Sequence, residues 1–152
     1  MDAARATGLQ VAPRRFPAGT KTAEDAARAI GCEVAQIVKS LVFMADGRPV
    51  LVLTSGANRV DPEKLASLCS SGEARRASPE EARAATGFAV GGTPPFGHAQ
   101  RLPTYVDPDL LVFEEVWAAA GTPDSVFPVD PRVLLRAARG TLADFTQTRP
   151  SG

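Results

Sequence analysis

Two apolar segments around the dipeptide Asp46-Gly47 constrain the fold of this chain more than any other feature. Residues 37–44 and 50–54 are rich in β-branched and aliphatic side chains, which favours strands over a surface helix. Asp-Gly is a strong signal for a two-residue hairpin turn, because both turn positions adopt a positive φ. The sequence therefore predicts two adjacent antiparallel strands that are buried in the interior.

Helix start signals frame this hairpin. Four segments begin with a capping residue, and in three of them a proline takes the first helical position. The predicted helices are 23–30, 62 to about 69, 79 to about 87, and 131 to about 139. Further strands are predicted at 73–77, 110–117 and 125–129, and residues 141–146 are expected to close a sheet edge. The irregular alternation favours an α+β fold with a mixed sheet over a doubly wound parallel one, and no linker divides the single expected domain, 1–152.

Charge and cysteine content narrow the class of protein. The 152 residues contain 17 basic and 17 acidic side chains, which argues against a large basic surface for nucleic acid but allows a few local cations to bind one end of an RNA. Two separated cysteines, Cys32 and Cys69, and one histidine make a structural zinc site improbable, so neither metal nor cofactor is expected. No signal peptide or membrane span is recognised, and a cytoplasmic location is the expectation.

Lys39 is the sharpest anomaly, because it stands alone in an apolar predicted strand. It shares a face with Ile37 and Leu41, so its ammonium must reach water, pair with an acid or line a pocket. One interpretation is a lysine at a sheet edge or strand end whose aliphatic side chain extends the ammonium to water. This interpretation is slightly favoured when Lys39 is considered without other residues. The other is a cation directed at a phosphate or a developing oxyanion.

The Gly/Pro-rich segment 91–97 is the second candidate. Its glycines allow backbone N–H groups to form a nest for an anion or a carbonyl oxygen, and Pro94 and Pro95 would keep it rigid. A plain connection explains the same composition, and neither a P-loop nor a dinucleotide fingerprint is present. His98 and Cys32 lack the sequence context of a nucleophilic site, and we expect Phe113 and Trp117 to be core residues on one strand.

Together, these segments resemble a known family. Ile37-Val38-Lys39-Ser40-Leu41-Val42, followed by a hairpin, is similar to the lysine strand of the YbaK / prolyl-tRNA synthetase insertion-domain family. Residues 86–98, Thr-Gly-Phe-Ala-Val-Gly-Gly-Thr-Pro-Pro-Phe-Gly-His, resemble its TGxxxGGxxPxG loop. The likeness continues through residues 101–107 and 116–121 and covers roughly residues 14–146.

The resemblance implies a mixed, strongly curved, barrel-like sheet surrounded by helices. It also implies deacylation of aminoacyl-tRNA in trans, in which Lys39 acts as an electrostatic group, Gly92 holds the oxyanion, and the free ribose hydroxyl of the substrate helps to orient the attacking water. Catalysis would fall to Lys39 and Gly92, and substrate binding to Thr22, Ser40, Gly91, Thr93, Pro94, Pro95, His98, Gly121 and Thr122.

The partners implied by the resemblance are the acceptor end of a mischarged tRNA and a prolyl-tRNA synthetase. Binding to DNA or to a membrane is not expected, and the chain is expected to be a monomer or a weak homodimer. The expected substrate is a prolyl acceptor that carries Ala, Ser, Cys, Thr or a small analogue. The chain lacks the aromatic residue that some members carry near Thr22, and residues 122–127 lack the basic, Asp-containing pattern of YbaK members, so cysteinyl specificity gains no support. Two alternatives stay open: a non-catalytic module that binds a tRNA end, a nucleotide or a synthetase, and a hydrolase that uses Cys32 or His98.

Overall fold

A computed structural model describes residues 14–15, 23–87, 102–119 and 125–147. Its α-helices are short, and in chain order they are α1 Ala23–Ile30, α2 Pro62–Leu68, α3 Pro79–Thr86 and α4 Pro131–Ala137. Its strands are β1 Arg14–Arg15, β2 Val38–Ala45, β3 Arg48–Ser55, β4 Ala74–Arg76, β5 Thr104–Val106, β6 Val116–Ala119, β7 Ser125–Val129 and β8 Thr141–Leu142. Two 3-10 turns, Val34–Gln36 and Pro108–Val112, complete the described elements.

The predicted hairpin is confirmed and forms the centre of the larger sheet. Asp46 and Gly47 both have positive φ, 50° and 82°, as a type I′ turn requires. The strand order is β4-β2-β3-β5-β8, with antiparallel pairs around β2 and parallel pairs from β3 through β5 to β8. The sheet is therefore mixed, as the sequence predicts, and the fold is α+β.

The expected barrel-like closure is not supported. The strands divide into this five-stranded sheet and a three-stranded sheet of order β1-β7-β6, and neither closes or curls strongly within the described ranges. A barrel needs two neighbours for every strand, whereas β4 and β8 each pair with one neighbour and are only three and two residues long. The two sheets meet at the parallel bridge between Ile37 and Trp117.

Both faces of β2 and β3 are covered, which explains their continuous apolar sequence. One face joins the larger core cluster, in which Val38 and Val42 pack with residues such as Phe127 and Leu134. The opposite face joins a second cluster around Phe43 and Phe145. Alternate residues of β2 therefore point into two separate cores, and this places Lys39 and Ser40 on opposite faces.

The helix starts follow the predicted signals closely. The Asp61, Ser78 and Asp130 side chains each accept a backbone N–H of the first turn, and a proline follows each cap. Ser78 and Glu81 form a reciprocal capping box, and Gly87 ends α3 with φ of 84°. None of the helices in the described ranges is long and apolar enough to cross a membrane.

The predicted strand at 110–117 is wrong in its first half. Asp107 accepts the N–H of Asp109 and Pro108 follows it, so the same Asp-Pro signal that begins α2 and α4 begins a 3-10 turn here. Leu110 is fully buried while Val112 is 76% exposed. The strand begins only at Val116, so Phe113 is not part of the strand although its side chain packs against the core.

Candidate active site

Lys39 lies near the start of β2, at the end of the strand away from the hairpin turn. Its main chain pairs with Thr54 of β3, and its side chain is partly buried on the face that carries Leu41 and Phe43. The Nζ atom donates a hydrogen bond to the backbone carbonyl of Asn58 at 2.8 Å. An ammonium has three N–H donors, so two others remain for further acceptors.

The Asn58 carbonyl is held in place from behind. The Asn58 amide Nδ2 donates to Asp107 Oδ2 and to Asp109 Oδ2, both at 2.8 Å. Asp107 Oδ2 also accepts the Thr54 hydroxyl at 3.0 Å and the Ser55 N–H at 3.1 Å. Asp107 is only 1% exposed, so this buried carboxylate organises the strand end at which Lys39 is docked.

The electrostatic environment of Lys39 combines burial with charges of both signs. Desolvation lowers the pKa of Lys39 below its usual 10.5, because burial disfavours the charged form. The Glu24 carboxylate opposes this shift, the Arg76 and Arg59 guanidinium groups add to it, and Asp107 opposes it weakly. Two arginine charges thus act on the Lys39 ammonium, Arg59 from beside Asn58 and Arg76 from opposite Phe43, an arrangement that favours a phosphate or an oxyanion.

Ser40 faces the other core, beside Val38 and Val42. Its Oγ is buried and makes no hydrogen bond, the one such side-chain atom within the described ranges. Buried hydroxyls are normally paired, and an orphaned one is typical of a site that a ligand completes. The unpaired hydroxyl therefore distinguishes Ser40, and the position of Ser40 in the sequence alone does not reveal it.

The edge of β2 is interrupted beside Ser40. The bond from Gly56 N–H to the Ile37 carbonyl sets the antiparallel alternation, so the Ser40 main-chain groups point away from β3. On that side β6 reaches Ile37 through the bridge to Trp117, and β4 pairs only from Phe43 onward. Between these two contacts, no described strand pairs with Ser40.

Most of the predicted site lies outside the described residues. This applies to Thr22, Gly91, Gly92, Thr93, Pro94, Pro95, His98, Gly121 and Thr122, whose roles stay predictions. The flanks of the Gly/Pro-rich segment are described, however. Ala85 near the end of α3 and Leu102 both pack in the core cluster that contains Val38 and Val42, so the described residues on either side of the segment belong to the core on the Ser40 face of β2.

Cys32 has the wrong environment for a nucleophile. Burial raises the pKa of its thiol, a backbone hydrogen bond lowers it by less, and the Glu115 and Glu33 carboxylates add smaller upward effects. The reactive thiolate is therefore disfavoured at neutral pH. Trp117 is buried between the sheets, as expected for a core residue, and no cluster of three or more potential metal ligands occurs among the described side chains.

Sequence reasoning missed Asn58 and Asp107. No sequence pattern singles out Asn58, and Asp107 is only the last residue of the segment 101–107 that resembles the family. The repeated Asp-Pro pattern at 61, 107 and 130 identifies Asp107 as a cap, but nothing local reveals that its second oxygen is buried against Asn58.

Comparisons with known proteins identify the family of this chain. Residues 17–137 match the model of the aminoacyl-tRNA editing domain. A solved structure of a candidate trans-editing enzyme for prolyl tRNA synthetase is 46% identical, with a TM-score of 0.91 over 96% of this chain and 93% of that one.

Two curated relatives extend the comparison. The uncharacterized protein YwhH of Bacillus subtilis (strain 168) is 33% identical over 120 residues, 78% of this chain and 76% of YwhH. Proline--tRNA ligase of Solidesulfovibrio magneticus is 34% identical over 108 residues, which are 70% of this chain but 18% of the ligase. The chain therefore corresponds to a small part of that synthetase.

Proposed function

The chain belongs to the family of aminoacyl-tRNA editing domains. From this premise we propose that it acts in trans, as a single domain. The proposed reaction is hydrolysis of the ester bond of a prolyl acceptor tRNA that carries a small wrong amino acid. Deacylation of aminoacyl-tRNA is the reaction of an editing domain. The prolyl acceptor is proposed because both a trans-editing candidate for prolyl tRNA synthetase and a part of proline--tRNA ligase resemble the chain.

The single observation that carries the mechanism is the docking of Lys39. Its side chain is partly buried, its ammonium is bonded to the Asn58 carbonyl at 2.8 Å, and the charges of Arg59 and Arg76 act on it. A fixed cation in a desolvated setting stabilises negative charge more strongly than one in water. Lys39 would therefore neutralise the terminal phosphate or the forming oxyanion and so position the 3′-terminal adenosine.

The Gly/Pro-rich segment would supply the second part of the mechanism. We propose that the N–H groups of Gly92 and its neighbours polarise the ester carbonyl. The residues proposed to surround the ester are Gly91, Thr93, Pro94, Pro95 and His98. Those proposed to line the amino-acid pocket are Thr22, Gly121 and Thr122. The orphaned Ser40 hydroxyl, next to Lys39 at the same end of β2, supports a pocket beside this strand end. An aminoacyl ester is already reactive, so a positioned water suffices without a protein nucleophile.

The decisive experiment is deacylation of tRNAPro charged separately with Ala, Ser, Cys, Thr and Pro. We expect ester loss above the spontaneous rate with at least one small amino acid, and little with proline. A chain that binds these tRNAs without hydrolysing any of them would overturn the assignment and favour a binding module.

Lys39→Ala tests the role of the lysine. Because its ammonium would stabilise charge in the transition state, the substitution should lower kcat/KM on the order of a hundredfold or more while the melting temperature changes little. Lys64→Ala is the matched control, since Lys64 bonds to Asp144 and the Thr146 carbonyl instead. Near-normal turnover in Lys39→Ala would contradict the assignment.

A further inference from the structure

We propose that Asn58, clamped by Asp107 and Asp109, is a positioning residue that fixes the direction of the Lys39 ammonium for the editing reaction. This inference rests on the proposed function of Lys39. It adds a group that never touches the substrate and acts only through the lysine, by presenting one backbone carbonyl at a defined place.

The geometry of the clamp is specific. The Asn58 amide makes two hydrogen bonds of 2.8 Å to carboxylates on one side, while its backbone carbonyl accepts Lys39 Nζ at 2.8 Å. The Asn58 N–H donates to the Ser55 carbonyl at 2.9 Å, which fixes the main chain as well. A flexible four-carbon side chain thus ends on an acceptor that is held at several points, which reduces the number of directions that the ammonium samples.

The clamp exceeds what helix capping requires. Asp61, Asp107 and Asp130 each precede a proline and each accept the N–H two residues later. Asp61 and Asp130 do little else, whereas the second oxygen of Asp107 is buried and accepts from Thr54, Ser55 and Asn58. A buried carboxylate is costly to desolvate, so its retention at this position favours a function beyond starting a 3-10 turn.

Charge supports the same conclusion. The groups that face the Lys39 ammonium are Glu24 of α1, Arg76 of β4, Arg59 after Asn58, and Asp107. The two arginines and burial disfavour the protonated amine, while Glu24 and Asp107 favour it. Asp107 therefore both orients the acceptor of Lys39 and helps to keep the lysine charged.

The test combines kinetics with NMR of the lysine side chains. The chain has three lysines, Lys21, Lys39 and Lys64, so 13C-lysine labelling gives three Cε signals, and Lys39→Ala assigns the one of interest. In Asn58→Ala we expect the Lys39 Cε signal to show faster side-chain motion and kcat to fall about tenfold with KM nearly unchanged. Ser78→Ala, which removes a helix cap in α3 far along the chain, controls for lost stability and should leave both readouts near wild type.

A second pair of variants tests the charge. Asp107→Asn should lower the pKa of Lys39 in an NMR titration, whereas Asp130→Asn, the same substitution at another Asp-Pro cap, should not. If Asn58→Ala does not fold, Asp109→Ala removes one of the two anchors at an exposed position and should lower kcat about threefold with the same increase in Lys39 motion.

The outcomes separate this proposal from the proposed function. The positioning role would be overturned if a folded Asn58→Ala kept the Lys39 motion and the kcat of the wild type. It would also be overturned if Asn58→Ala and Ser78→Ala lost the same fraction of kcat. Absence of turnover in the wild type would instead overturn the editing assignment for the tested tRNAs, and the NMR comparison would still decide whether Asn58 orients Lys39.

Discussion

At the residue scale, the site depends on two consecutive side chains of β2 with opposite surroundings. Lys39 is partly buried and bonded to the Asn58 carbonyl, whereas the Ser40 hydroxyl on the opposite face is buried without a partner. Both retain polar atoms in an apolar strand at a cost in stability. Such costs concentrate where function requires them.

Ser40→Ala tests whether that cost is real. Removal of an unpaired buried hydroxyl should leave the free energy of unfolding unchanged or raise it by up to about 1 kcal/mol. Urea unfolding measures this, and deacylation kinetics should show a changed preference among small amino acids.

Ser55→Ala is the contrasting variant. The Ser55 Oγ donates to the Ala35 carbonyl at 2.8 Å, so its loss leaves a partly buried acceptor unpaired and should cost about 1 kcal/mol or more. Equal destabilisation by both substitutions would mean that Ser40 Oγ is paired in solution.

At the element scale, α2, α3 and α4 each begin with a capping side chain that accepts an N–H of the first turn. The start of α3 is the most elaborate, because Ser78 and Glu81 cap each other and Arg75 of β4 binds both Glu81 oxygens at 2.7 and 2.8 Å. The Arg75 hydrogen bonds, followed by the Ser78 N–H, lower the pKa of Glu81 from 4.5 to about 2. This links β4 to α3, which ends where the Gly/Pro-rich segment begins.

The Glu81 contacts predict a pH-dependent stability. A carboxyl with a depressed pKa contributes stability that is present above its unfolded pKa and is lost as the pH falls from about 4.5 toward 2. Glu81→Gln should therefore be less stable than wild type in urea unfolding at pH 6, and the difference should shrink steadily toward pH 2.

Glu80→Gln removes the same charge from the same helical turn without touching Arg75 or Ser78. It should differ little from wild type at either pH. A difference in the free energy of unfolding between wild type and Glu81→Gln that stays constant from pH 6 to pH 2 would contradict the assignment of the Arg75–Glu81 pair.

At the scale of the whole molecule, stability depends on close packing of α4 and the parallel strands against the hairpin. Gly140 lies between α4 and β8, and a methyl group there would overlap the Val106 side chain on β5 and crowd Leu135. This close approach brings β8 beside β5, and relieving the overlap would require the buried Val106 side chain to shift.

Gly140→Ala should therefore lower the free energy of unfolding by about 1–3 kcal/mol, the usual cost of overpacking. Gly72→Ala is the matched control, since a methyl group there meets only Asp46 Oδ1 at 3.8 Å and should stay within about 0.5 kcal/mol of wild type. Equal stabilities of the two variants in urea would show that the α4–β8 turn is looser than described.

The sequence by itself determined the parts of this protein that depend on neighbouring residues. The Asp46-Gly47 hairpin, the starts of α2, α3 and α4, the strand β7 and the unusual position of Lys39 all follow from contacts within a few residues. The Gly/Pro-rich segment is recognisable from its composition, whereas its role and that of Ser40 rest on the resemblance to a family.

Only the tertiary structure decided the rest. The short strand β5 carries too little pattern to be recognised, and it forms because a parallel partner on β3 satisfies its backbone groups. The sheet edge predicted at 141–146 is present, but its pairing in parallel with β5 over only Thr141–Leu142 follows from the fold. The division into two sheets instead of a barrel has the same origin in long-range pairing. Asn58 and Asp107 are 49 residues apart, and their contact depends on burial that no local pattern encodes. The lysine could thus be found in the sequence, while the group that holds it required the fold.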